Sequence, residues 1–347
     1  MLRPIGVLVA TAAVAGPVAA SLGWAAPTVP VLFATAVVLV VYVRRTERRT
    51  GARPVRWPDR ARRRQVLRFA WPRTLSAGLE QGIVWLDVVL VGLIAGAAAA
   101  GVYGAASRFV AAGLIVDAAI RVVVSPRFSV LLHSGRADLA QDLYRVAATW
   151  LVLFATPAYL LLAIFAPTVL GWLGPGFEDG ATVLAVLCCG AVVTFMAGNV
   201  HSLLLMSGRS GWAAFNKAVV LSLNVGANLL VIPRWGIVGA AVVWAASMLV
   251  DAVLATIEVR RLVGVTPDLR SVGFPLLLGI VAVGIPAAGC RLLLGQGTGA
   301  LVVAAVVGCA FFAAACWWGR ERLHLRELAP GALRRGAQRG EVSMPPG

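Results

Sequence analysis

The sequence predicts an all-α protein, a polytopic transmembrane helix bundle of about ten spans. Three observations predict it. Of 347 residues, 60% are hydrophobic and only 13% are charged, against about 45–50% and about 25% in soluble domains. The apolar residues come in long blocks rather than in short alternating runs. Backbone groups in lipid must be satisfied within the segment, so such blocks are helices. A water-soluble enzyme is ruled out.

A helix needs roughly 20 apolar residues to cross a hydrocarbon core of about 30 Å. Taken in order, the candidate spans are 4–22, 28–43, 69–95, 100–124, 146–172, 180–206, 212–232, 236–259, 272–293 and 299–318. The first begins beside Arg3 and is an alternative signal peptide ending near Ala25-Ala26. Its long apolar stretch, and a second span directly after it, favour a retained helix. Breaks between spans carry turn chemistry: Pro27, Gly96, Gly101, Pro175-Gly176, Gly208, Pro233, Gly236, Pro267 and Gly295. The organisation expected is two helices in 1–43, an Arg-rich cytoplasmic loop at 44–68, six helices in 69–264, two more in 265–319, and a basic tail at 320–347.

Net charge is +16. In a soluble chain this would suggest a nucleic-acid partner. Here eleven arginines lie between Arg44 and Arg68 and six between Arg320 and Arg339, directly beside apolar blocks. They read as cytoplasmic segments drawn to anionic membrane lipids, and no nucleic acid is expected. With both termini cytoplasmic, ten spans leave twenty-five of the 31 basic residues inside and only Arg234 and Arg291 outside. That is the positive-inside pattern of a bacterial plasma membrane protein.

Cys188, Cys189, Cys290, Cys309 and Cys316 all fall in apolar blocks without CxxC spacing, and read as small packing residues. His133, His201 and His324 are far apart and suggest no zinc site. No cofactor is expected. Nucleotide-binding motifs are absent, so transport would run on an ion gradient, the membrane potential or the substrate's own gradient.

Eight ionisable residues fall inside predicted spans: Arg73, Glu80, Asp87, Arg108, Asp117, Arg121, Lys217 and Asp251. Each costs roughly 2.5–3.5 kcal/mol at a helix centre on insertion scales, so lipid-facing placement is disfavoured. Arg73, Glu80 and Asp87 are seven apart, about two turns, and share one face at intervals of about 10.5 Å. Such a stripe suits the wall of a water-filled passage, or a set of structural salt bridges. Asp117 and Arg121 are i,i+4 neighbours suited to pairing on their own helix. Arg108 has no acid within a turn and is a candidate contact for an anionic ligand. Lys217, Asn224 and Asn228 form a second stripe, with Asn216 beside it. Asparagines there act either as interhelical glue or as amide oxygens for a cation or a sugar hydroxyl. Asp251 is either a counter-ion for Lys217 or a protonatable coupling residue.

Residues 71–109, WPRTLSAGLEQGIVWLDVVLVGLIAGAAAAGVYGAASRF, carry a mid-span Asp87 and a G-x-Y-x-x-A stretch from Gly101 to Ala106. Ser125-Pro126-Arg127-Phe128 ends the next helix before an amphipathic segment at 136–146. Residues 203–241 add LLLMSGRS and NLLVIPRWGIVGAA. This combination resembles polysaccharide biosynthesis flippases of the multidrug/oligosaccharidyl-lipid/polysaccharide exporter superfamily, over about 69–264. The resemblance implies two six-helix lobes with two extra C-terminal helices, of which 69–259 would be the second lobe and the first two spans a remnant of the first. About four N-terminal helices of that pattern would be missing; a misassigned start, a degenerate gene or assembly with another chain would each explain it.

The resemblance further implies a transporter, not an enzyme. It would move a lipid-linked oligosaccharide or polysaccharide precursor of the undecaprenyl pyrophosphate type from the inner to the outer leaflet by alternating access. Arg73, Arg108 and Lys217 are then the candidate substrate contacts, because a pyrophosphate needs cationic partners. Glu80, Asp87, Asn224, Asn228 and Asp251 are the candidate ion-coupling residues, for H+ or Na+. Glycosyltransferases or a polymerase of the same pathway are the expected protein partners. Two alternatives stay open: a multidrug/cation antiporter of the same fold, and a non-transporting membrane subunit of a polysaccharide assembly complex.

Overall fold

Every regular element among the described residues is helical. The computed structural model describes residues 26, 28–50, 59–266 and 268–319, so the predicted span 4–22 and the tail 320–347 lie outside the described residues. The chain divides into two units, residues 1–67 and 68–347. In the first, α1 (Thr28–Thr50) leaves Leu32, Phe33, Val38 and Tyr42 exposed along its length. All helices after α2 (Arg60–Ala95) lie in the second unit.

The second unit continues with α3 (Ala97–His133), α4 (Ala137–Ile164), the short α5 (Ala166–Gly171), α6 (Ala181–Met196), α7 (Val200–Met206) and α8 (Ser210–Glu258). It closes with α9 (Leu269–Gly279), α10 (Ile285–Leu294) and α11 (Thr298–Trp318). Among the described residues, eight stretches are long and apolar enough to cross a membrane. One of them, 54 residues long, is broken where Gly236 takes φ 56° and ψ −143°. Pro233 removes a backbone donor just before that break. A first arm up to the break and a second arm after it therefore match the predicted spans 212–232 and 236–259. This is a multi-pass membrane protein.

Three boundaries differ from the sequence expectation. The Arg-rich stretch 44–68 is helical at both ends, within α1 and α2, because arginine is a good helix former and its long side chain tolerates the interface. The amphipathic segment at 136–146 is continuous with its span in α4. The predicted span 180–206 is interrupted between α6 and α7, where Gly198 takes φ 59° and a Cβ would sit 2.7 Å from Ala148 Cβ. Buried Tyr144 donates to the Ala197 carbonyl at this break, at 2.6 Å. That bond satisfies a group that lipid could not.

The core lies among α3, α4, α6 and α8, around Tyr103, Phe128, Tyr144, Leu151, Tyr159 and Leu184. α6 and α8 pack tightly at Gly190 of α6, where a Cβ would lie 2.7 Å from Ala245 Cβ and 3.1 Å from Ala245 Cα in α8. Small residues allow such backbone proximity between membrane helices. Cysteines 188, 189, 290, 309 and 316 are all free. Gly190→Leu should force α6 from α8 and cost about 1–3 kcal/mol, seen as a Tm in detergent several degrees lower; an unchanged Tm would contradict the packing described.

Candidate functional site

The first two helices of the second unit present charge on an open face. Glu80 of α2 lies 3.9 Å from Arg121 of α3, and Arg121 also pairs with Asp117 one turn earlier, as its i,i+4 spacing predicts. The Glu80 and Arg121 side chains stay 45% and 38% exposed. Arg108, also exposed, sets its guanidinium 4.4 Å from the ring centroid of Trp85. A cation over an indole face is held without being neutralised, so the charge remains available to an anion. Arg73 belongs to α2, but its side chain lies outside the described residues.

Two turns along α2 from Glu80, the surroundings change. Asp87 is 1% exposed. Asn228 Nδ2 on the first arm of α8 donates to Asp87 Oδ1 at 3.0 Å, and Tyr103 of α3 donates its hydroxyl to Oδ2 at 3.3 Å. Asn228 Nδ2 also reaches Asn224 Oδ1, at 3.1 Å. Asn224 Nδ2 and Asn228 Oδ1 are buried with no hydrogen-bond partner. Glu80 and Asp87 thus share a helix face by angle but not by surroundings. Gly82 and Leu221 bring α2 close to the first arm of α8, and Asp87 falls inside that contact. Asp87, Asn224 and Tyr103 converge as carboxylate, amide and hydroxyl oxygens, donors suited to a hard cation; the carboxylate alone suits a proton.

A second buried cluster lies farther along α8. Lys217 Nζ of the first arm donates to Asp251 Oδ2 of the second arm at 2.5 Å, and His201 Nε2 of α7 lies 3.1 Å from the same oxygen. Asn216 Nδ2 donates to Glu258 Oε2 at 2.6 Å. Of the two readings open for Asp251, the counter-ion of Lys217 is the arrangement observed. Lys217 is 7% exposed and faces this acid rather than the open face that holds Arg108.

The seven of these charges whose side chains are described fall into three groups rather than around one crevice: a row on α2 and α3, the Asp87 node, and the Lys217–Asp251 pair. Sequence reasoning assigned no role to His201 or Tyr103. Tyr103 lies inside the G-x-Y-x-x-A stretch. His201 stood alone, and its only signal was a titratable ring inside an apolar block. Among the described residues, no group of three or more His, Cys, Asp or Glu side chains is placed to hold a metal ion.

The family model described as "Polysaccharide biosynthesis protein" matches residues 4–174. A probable low-salt glycan biosynthesis flippase of Haloferax volcanii, Agl15, is 23% identical over 202 residues, covering 58% of this chain and 43% of that protein. A probable flippase of the same organism, AglR, is 21% identical over 211 residues, covering 59% and 43%. The matched stretch thus spans less than half the length of each of these curated relatives. Among solved structures, the lipid II flippase MurJ in an inward closed conformation aligns with a TM-score of 0.68 at 10% identity, over 92% of this chain and 66% of that one. The fold is MurJ-like.

Lys217→Met and Asp251→Leu should each strand a buried charge and cost about 3–5 kcal/mol, while the double variant should recover most of that loss. Thermal unfolding of all four proteins in one detergent measures this. Losses that simply add would mean the two side chains do not interact.

Proposed function

The family match, the relatives named as flippases and the MurJ-like fold support a polysaccharide-biosynthesis flippase family, and from that premise we propose that this protein moves a lipid-linked oligosaccharide or polysaccharide precursor across the membrane. One observation carries the reading. Glu80, Arg108 and Arg121 sit within apolar spans yet remain open. Facing acyl chains, each would cost several kcal/mol. An open charged face on α2 and α3 is therefore the wall of a hydrated passage, the expected position for a polar cargo.

The cargo's chemistry follows from the groups on that wall. Arg108, oriented over Trp85, offers planar donors to a pyrophosphate of the undecaprenyl pyrophosphate type. Trp85 also presents an apolar ring to a sugar face. Arg121 is held between Glu80 and Asp117, which fixes its position and tempers its charge, so an anion can be bound and then released. The polyprenyl tail would stay in lipid while the head group moved through the passage. Transfer would run from the inner to the outer leaflet by alternating access.

Asp87 is the coupling residue in this reading. Its carboxylate joins α2, α3 and α8 through Tyr103 and Asn228, so binding an ion there would change how these helices hold together. Relatives named as flippases are transporters rather than enzymes. The distribution of basic residues supports a plasma (inner) membrane location with both termini cytoplasmic.

Arg108→Ala should lower glycan export about tenfold or more, the cost of losing one hydrogen bond to a charged group. Surface glycan and membrane-embedded protein are measured in the same cells. Unchanged export at equal protein abundance would overturn the ligand role of Arg108.

A further inference from the structure

Away from the α2–α3 wall and the buried acids, the second unit has a cavity of about 250 Å³ at the end of the bundle where α3 stops. Three segments build it. Leu132 and His133 come from the last turn of α3, Met206 and Arg209 from the turn between α7 and α8, and Leu262 and Val263 from the π-helical turn Val259–Val263 that extends α8. Gly208 takes φ 79°, a conformation open to glycine, and the reversal it allows brings Arg209 into the lining.

The polar part of this lining is cationic and unneutralised. Among the described residues, neither Arg209 nor His133 forms a salt bridge. His133 Nδ1 donates to the Ser129 carbonyl one turn back, at 2.7 Å, which fixes the ring and leaves Nε2 for a ligand. Glu258, one turn before Leu262, is engaged by Asn216. Carbonyls at the ends of α3 and α7 would repel an anion if they were open. They are closed by turn amides: Ser134, Gly135 and Arg136 donate back to Val130, Leu132 and Leu131, and Ser207 and Gly208 to Leu203 and Leu205. Arg260 and Arg261, exposed on the π-helical turn, add positive charge nearby.

The depth of the cavity identifies what reaches it. α3 has 37 residues, about 55 Å at 1.5 Å per residue, against roughly 40–45 Å for a bilayer with its headgroups. Its last turn therefore reaches the headgroup layer, on the cytoplasmic side in the topology that the basic residues support. We propose that this cavity binds the headgroup phosphate of an anionic glycerophospholipid. Arg209 and His133 hold the phosphate, and Leu132, Met206, Leu262 and Val263 take the glycerol and the first acyl carbons. A free phosphate ion would use the cations and leave those four apolar side chains facing water. Basic pockets between membrane helices hold anionic headgroups in this way. The bound lipid ties the end of α3 to the α7–α8 turn and to the end of α8, and the inference does not depend on the cargo reading.

The test measures Tm of the purified full chain in detergent, with phosphatidylglycerol as the probe. Phosphatidylcholine and glycerol 3-phosphate at equal concentration are the comparisons. Phosphatidylglycerol should raise Tm by several degrees, because a ligand bound by the folded state stabilises it. Phosphatidylcholine should raise it far less, and glycerol 3-phosphate not at all. Arg209→Gln should raise the half-maximal lipid concentration about tenfold or more, the cost of losing a hydrogen bond to a charged group. Val263→Trp fills the cavity without touching a charge and should weaken the response as much. Arg127→Gln removes an exposed arginine of α3 outside the cavity and should keep the wild-type response. The lipid-free Tm of each variant reports its folding, and if Val263→Trp does not fold, the exposed Arg209→Gln decides alone. No shift with phosphatidylglycerol, an equal shift with phosphatidylcholine, or a wild-type response in Arg209→Gln would overturn the pocket. A full shift with glycerol 3-phosphate would replace the lipid by a free phosphate ligand. An equal loss in Arg127→Gln would reduce the effect to diffuse attraction by surface arginines, and overturn the site.

Discussion

A carboxylate in the middle of an apolar helix has to be enclosed by other polar groups, and the arrangement of the second unit follows from how Asp87 meets that demand. It takes a hydrogen bond from Asn228 and another from Tyr103, so three helices meet at one side chain. The alternative in lipid is an unsatisfied acid, at a cost of several kcal/mol. The node therefore sets where the first arm of α8 crosses α2. Glu80, two turns away on the same face of α2, stays open beside Arg121.

That division separates two kinds of charge in one bundle. Where helices pack closely, charges are neutralised in place, as Asp251 is by Lys217 and His201. On the α2–α3 face, an indole ring holds Arg108 and preserves its charge, while Arg121 pairs closely with Asp117 and lies near Glu80. An enclosed pair gains specificity and loses reactivity. An exposed, oriented cation keeps the capacity to bind.

Much of this was legible in local spacing. Asp117 and Arg121 pair as i,i+4 neighbours must, and Asn224 and Asn228 meet for the same reason. Pro233 and Gly236 break α8 where their backbone chemistry requires. The partners of Asp87 and Asp251 were not legible in that way. His201 and Asp251 are fifty residues apart and Asp87 and Asn228 farther still, and their distances are set by how α7 packs on α8 and α2 on the first arm of α8. Equal angular position on α2 likewise could not tell that Glu80 stays open while Asp87 is enclosed, since that depends on which neighbour crosses the helix there.

Composition and apolar block length by themselves determined a helical, multi-pass membrane protein, because lipid requires any chain that crosses it to satisfy its backbone hydrogen bonds within the segment. Tertiary structure alone decided which of the membrane-embedded charges became a buried pair, which a three-helix node and which an open face. The physical reason is that the energy of a charge in a membrane is set by what surrounds it in three dimensions, and neighbours in space are not neighbours in sequence.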